Sequence, residues 1–166
     1  MQFAGLWRVR TLAIAALTLG VSACGFTPMY ANPQLTQNMR AIAITTPQTR
    51  TGYLLREQLN DQLAVDREAK PRYRLTVAIV ERRRPRGLNP DDTPTRYELH
   101  LDVTYTLADA ETGKTILKQT RPVFVSADAV VDPYASIAAQ QDSQERAAEE
   151  AAVIIRTDVS LALAGK

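Results

Sequence analysis

The sequence predicts an α+β fold in which two helices cover one face of a four-stranded mixed or antiparallel sheet, in the order β-α-β-β-β-α. Three observations carry this. Tyr97, Leu99, Leu101, Val103, Tyr105 and Leu107 occupy every second position, with polar residues between them, as in a strand buried on one side only. Leu55, Leu59 and Leu63 recur at steps of four, which makes one apolar stripe along a helix. From Ala135 to about Ala162 there is no Gly or Pro and Ala, Gln and Glu dominate, so helix propensity is high over a long window.

Taken in order, Met39 to Thr45 alternates weakly around Ile42 and Ile44 and reads as a first strand. Thr46-Pro47 suggests an N-cap followed by proline in the first turn of a helix that runs to about Val65. Arg56, Glu57, Asp61 and Arg67 fall off the leucine stripe and face water. After the break at Lys70-Pro71, Tyr73, Leu75, Val77 and Ile79 alternate within a second strand, Arg72 to Glu81. Pro85, Gly87, Pro90 and Pro94 then mark residues 82–94 as an exposed loop. The third strand is the alternating run at 97–107, and Asp109 to Lys114 is a hairpin turn. Pro122 in the return strand, Thr115 to Ser126, implies an edge position or a bulge. In the last helix Ile137, Ala148, Ala151, Ala152, Ile155 and Val159 fall near one side, with Arg146, Glu149, Glu150 and Arg156 on the other. Small alanines let such a helix lie close to a sheet. There are no internal repeats.

Ahead of this domain, Arg8 and Arg10 precede an apolar run that ends in Val21-Ser22-Ala23-Cys24. A charged lead, an apolar middle and small residues at a boundary have the form of a secretory signal. The run over residues 11–23 is well short of the roughly 20 residues needed to span hydrocarbon. Val21, Ser22, Ala23 and Cys24 resemble a bacterial lipobox, in which the cysteine thiol receives a diacylglyceryl group and, after cleavage, becomes an acylated N-terminus. The expected organisation is a signal over 1–23, an extended arm over 24–38 that begins at acylated Cys24, and a single α+β domain over 39–166. Gly25, Pro28 and Pro33 argue against helix at the start of that arm. Cys24 is the chain's one cysteine, so no intramolecular disulfide is available and the core alone must hold the domain. A single acyl chain anchors only marginally, whereas two or more make attachment stable.

The formal charge of +2 includes Arg8 and Arg10, so loss of the signal leaves a neutral protein. No global attraction to nucleic acid follows. His100 lies between Glu98 and Asp102 on the polar side of its strand, but no Cys or second His in the domain could complete a soft metal site. No Gly-x-Ser-x-Gly elbow and no glycine-rich phosphate loop is present. Asp91-Asp92 stands beside an arginine run and reads as an answer to that charge rather than as an acid–base pair. The expectation is therefore no catalytic residue, no metal and no cofactor beyond the covalent lipid on Cys24. The arginine cluster Arg82, Arg83, Arg84 and Arg86 is the best candidate for ligand contact, because guanidinium forks match phosphate and carboxylate groups. The same run would also serve as a solvated, edge-protecting charge cluster. The polar sheet face around Thr104 and Thr106 fits plain solvent or a wet partner cavity equally well.

Cys24-Gly25-Phe26-Thr27-Pro28-Met29-Tyr30 is similar to the Cys-Gly-Phe-x-Pro-Leu-Tyr opening of the LptE family of lipopolysaccharide-assembly lipoproteins, with Met29 where Leu is usual. The expected element order over the rest of the chain resembles that family as well. The resemblance implies a non-enzymatic, palmitate-bearing lipoprotein on the periplasmic side of the outer membrane. It implies a partner, the LptD β-barrel translocon, which the chain would plug and help to assemble while lipopolysaccharide passes to the outer leaflet. Gly25 after the cysteine is compatible with sorting to the outer membrane. Arg82, Arg83, Arg84 and Arg86 are the nearest match to the family's basic lipid-phosphate contacts. The alternative is an auxiliary periplasmic lipoprotein of a lipid-transport ABC system or a scaffold for cell-wall enzymes.

Overall fold

The computed structural model describes residues 33–91 and 93–165, apart from the Leu88 side chain. The signal, the lipobox, Cys24, the arm as far as residue 32, and Asp92 lie outside the described residues. Three helices and four strands follow in the order α1 (Pro33–Arg40), β1 (Ile42–Thr45), α2 (Arg50–Gln62), β2 (Tyr73–Leu88), β3 (Pro94–Asp109), β4 (Thr115–Asp128) and α3 (Pro133–Ala164). The sheet runs β1-β2-β3-β4, with β1 parallel to β2 and the remaining pairs antiparallel. The α+β class and the mixed four-stranded sheet are as the sequence predicts.

Alternation along β2 and β3 decides which face is buried. Leu75 and Val77 pair across with Leu107 and Tyr105, while Leu101 and Val103 lie further along the same face with Val123. All are buried against Leu55, Leu59 and Leu63 of the second helical region and Ala147, Ala148, Ala151, Ala152, Ile155 and Val159 of α3. The run of alanines brings α3 close to the sheet. Burying a leucine or valine side chain here contributes roughly 1.5–3 kcal/mol.

Several expected boundaries move. Residues 33–38, expected in an extended arm, form α1 together with Met39 and Arg40, expected in the first strand. Proline is tolerated at a helix start, and Leu35 and Met39 are spaced i, i+4 so that both bury against the core. The first strand is correspondingly short. Thr49, not Thr46, caps α2: its hydroxyl accepts from the Gly52 amide at 3.1 Å. Gly52 is required there, because a β-carbon would sit 2.2 Å from the Pro47 carbonyl oxygen. In α3 the Asp132 carboxylate caps the Ala135 amide at 2.8 Å with Pro133 next in the chain. Ile137, placed near the core side by its spacing, is exposed.

The largest difference concerns residues 82–88, expected in a loop. They continue β2, and the hairpin turn is confined to Asn89–Thr93, where Asn89 and Thr93 bond through backbone and side chain. Proline and arginine suit this stretch because β1 pairs only with Tyr73–Thr76, which leaves the far part of β2 as an edge. Pro122 also lies on an edge strand, β4, as its presence predicts. At the other hairpin, Gly113 supplies a φ of 70° while the Asp109 carboxylate accepts from the amides of Glu111 and Thr112.

Candidate functional site: the uncovered face of the sheet

Among the described residues the helices pack on one face of the sheet and leave the other without cover. Strand register sorts the arginine cluster between the two. Arg82 pairs with His100 and through it with Phe124; Arg84 pairs with Glu98 and Ser126; Arg86 pairs with Arg96 and Asp128. These rows lie on the uncovered face, because the intervening Leu99 and Leu101 point into the core. Arg83 pairs with Leu99 and so emerges on the helix side. There its guanidinium lies 3.8 Å from the centroid of the Tyr97 ring and donates to Gln140 of α3 at 3.4 Å. A small crevice lined by Arg83, Tyr97, Leu99, Ser136 and Gln140 encloses it. The four arginines therefore do not form one patch: three face outward and the fourth fastens α3 to the hairpin.

The outward three differ in their partners. Arg82 is paired with Asp102 at 2.6 Å and Arg86 with Glu98 at 3.2 Å. Arg96, opposite Arg86, pairs with Asp128 at 3.3 Å. The Arg84 side chain has neither an ion pair nor a hydrogen bond among the described residues. On this surface it is an exposed guanidinium whose five donors are open to an anion. Asp91 does not answer the arginine charge, since its carboxylate accepts instead from the Thr93 amide and hydroxyl.

His100 is less solvated than a polar-face position suggests, with its side chain 17% exposed. Its ring meets Phe124 edge-on at 4.4 Å between centroids, and its Nε2 contacts Glu98. That contact and the Arg86 guanidinium hold the Glu98 carboxyl below the usual carboxylate range. Among the described residues no cluster of His, Cys, Asp and Glu is arranged to hold a metal. Phe124 and Val80, about half exposed on the same face, give the arginine rows an apolar border that alternation alone did not flag. Arg96 was also missed. It precedes the apolar run, and only its register opposite Arg86 brings it to this surface.

A polar triad that runs from the buried Tyr105 to the exposed Arg121 supports the sheet from the helix side. The Tyr105 hydroxyl donates to Asp158 of α3, and Arg121 of β4 donates to the same carboxylate at 3.0 Å. Burial, reinforced by the carboxylate, pushes the Tyr105 phenol up to about 12. Burial alone would raise the Asp158 carboxyl, but the two donors outweigh it and hold the group below its ordinary value.

The described residues contain no helix long and apolar enough to cross a membrane. A solved lipoprotein structure from Caulobacter crescentus is similar to this chain, with 41% identity over 80% of this chain and 96% of that one, at a TM-score of 0.69. The minor lipoprotein of Acinetobacter baumannii shares the fold at 19% identity and a TM-score of 0.55, covering 74% of this chain and 94% of its own. Lipoprotein B of Nitrosomonas europaea does so at 17% identity and a TM-score of 0.55, covering 72% and 81%. No curated protein sequence matches the chain. The family model for lipopolysaccharide assembly, LptE, matches residues 39–159, which span every strand, α2 and most of α3. With that match and the Caulobacter likeness together, this chain belongs to the LptE lipopolysaccharide-assembly family.

Proposed function

We propose that the chain is an outer-membrane lipoprotein, acylated at Cys24, that seats in the lumen of the LptD β-barrel, assists its assembly and offers cationic side chains to lipopolysaccharide on its way to the outer leaflet. Membership of the lipopolysaccharide-assembly family supports the pathway. The observation that carries the ligand role is Arg84, an exposed guanidinium with no partner in a row of otherwise paired charges. A phosphate can engage it bidentately without first displacing a carboxylate. Arg82 and Arg86 then form a second tier, since a ligand must exchange with Asp102 or Glu98 to reach them. Phe124 and Val80 border the arginines with apolar surface suited to the acyl part of an amphiphile.

No step of this function is catalytic: the chain orders a passage by occupying it. The decisive experiment is a pull-down of the native protein from detergent-solubilised envelopes, with identification of its partner. An outer-membrane β-barrel is the expected partner. Recovery with an inner-membrane transporter complex instead would replace this reading with that of an auxiliary transport lipoprotein. Intact-mass analysis of the same material is expected to show a chain that begins at acylated Cys24.

A further inference from the structure

The hairpin half of the uncovered face is nearly balanced in charge. Its rows hold the guanidiniums of Arg82, Arg84, Arg86 and Arg96 against the carboxylates of Asp102, Glu98 and Asp128. Each carboxylate is paired with one guanidinium, and Arg84 is left over. While His100 is neutral, these rows therefore carry a single net positive charge. A proton on His100 doubles it.

His100 is the chain's one histidine, and histidine is the side chain whose ordinary titration falls between about pH 5 and 8. Its Nε2 and the Arg86 guanidinium meet the same oxygen, Glu98 Oε1, the guanidinium at 3.2 Å. The side chains of His100 and Glu98 are only 17% and 20% exposed, so their contact is screened less than one on open surface. Glu98 stays ionised through this range, since His100 and Arg86 hold its carboxyl low. Register fixes the remaining neighbours. On β2, Arg82 stands opposite His100 and is held by Asp102, while Arg84 stands opposite Glu98. On β4, Phe124 and Ser126 carry no charge, and Phe124 closes one side of the imidazole edge-on. The helices pack on the other face.

We propose that His100 is a proton-operated release for Arg86: once charged, the imidazole takes up Glu98, and Arg86 joins Arg84 in holding the phosphates of the ligand. A charge-assisted hydrogen bond is about twice as strong as a neutral one, so protonation draws Glu98 toward His100. The same positive charge repels the guanidinium that shares the oxygen. Arg86 stands two residues from Arg84 on one face of β2, roughly 7 Å along the strand, so a freed Arg86 and Arg84 can close on one anion. Arg86 otherwise belongs to the tier that a ligand reaches only by exchange with Glu98. Affinity for anions therefore rises as pH falls. The inference rests on the lipid-phosphate reading of Arg84 and adds regulation to it.

The test follows the full-length protein in detergent by NMR between about pH 5.5 and 8. Without ligand, the His100 ring and the Arg86 Nε–Hε resonances are expected to titrate with a common midpoint, and the Arg86 resonance to stop titrating in His100→Gln. Inorganic sulfate keeps its charge over this range, unlike a phosphate monoester. It should shift the Arg84 and Arg86 resonances and bind about threefold or more tightly at the acid end than at the alkaline end. In His100→Gln that difference should vanish, and Glu98→Gln, which removes the shared carboxylate, should raise sulfate affinity at the alkaline end. With purified lipopolysaccharide, the affinity of wild type relative to His100→Gln should rise toward acid pH, a ratio that cancels titration of the lipid's own phosphates. An Arg86 resonance that does not follow His100, or a wild-type pH dependence kept by His100→Gln, would overturn the release and leave the Arg84 reading intact. Lipopolysaccharide affinity unaltered by Arg84→Glu would overturn that reading and this inference with it.

Discussion

Arg83 and Arg84 are adjacent in the chain yet stand on opposite faces of the sheet, Arg83 stacked on Tyr97 beneath α3 and Arg84 open on the uncovered side. One peptide bond separates a side chain that fastens the fold from one that is available to a ligand. Their substitutions should therefore separate cleanly.

Arg84→Glu is expected to weaken binding of purified lipopolysaccharide about tenfold, while the thermal midpoint stays within ~2 °C of wild type. Arg83→Ala is expected to do the reverse, losing about 0.5–1 kcal/mol of stability with the cation–π contact and leaving lipid affinity unchanged. Calorimetry and a lipid-binding titration on both variants check the pair. Equal lipid affinity in Arg84→Glu and wild type would remove the phosphate role without touching the fold.

Gly52→Ala should destabilise by about 1–3 kcal/mol, although alanine is the better helix former. The new methyl would be placed 2.2 Å from the Pro47 carbonyl oxygen, and only movement of that backbone could relieve the clash. Urea unfolding of the variant measures the cost.

The Tyr105–Asp158–Arg121 triad predicts how stability depends on pH. Asp158 titrates below its ordinary value of 3.8 in the folded state, so its contribution is complete above that value and is lost as pH falls through the lower folded one. Asp158→Asn should flatten this acid limb. The Tyr105 phenol is raised from 10.0 to about 12, so its contribution is intact below 10 and is lost between 10 and about 12. Tyr105→Phe should abolish that alkaline loss and cost about 1–2 kcal/mol at neutral pH through the missing hydrogen bond. Chemical denaturation across the pH range reads both limbs.

Ala151→Leu tests how closely α3 approaches the sheet. Ala151 is 1% exposed, so three extra carbons have no room without displacing the helix, and a loss of about 1–3 kcal/mol is expected. A leucine tolerated without cost would mean that the alanine run reflects helix propensity alone.

The amino-acid sequence alone determined the α+β class, the buried face of β3, the leucine stripe of α2 and the length of α3. The first three follow from a period of two or near four, repeated often enough to outweigh local exceptions, and the length of α3 from helix propensity sustained over a window without Gly or Pro. It also singled out the arginines, whose charge is visible without coordinates. Local signals failed where pairing partners overruled them. Pro85 and Gly87 read as loop residues, but β2 runs through them because β3 supplies a partner on one side and no strand needs the other. Thr46-Pro47 reads as a cap, yet close packing of Gly52 under Pro47 delays the helix to Thr49. Only the tertiary structure divided the arginines, since a side chain's face depends on strand phase and a loop has none. The shared carboxylate of Tyr105 and Arg121 likewise needed α3 laid across β3 and β4, a contact between residues far apart in the chain that no local pattern encodes.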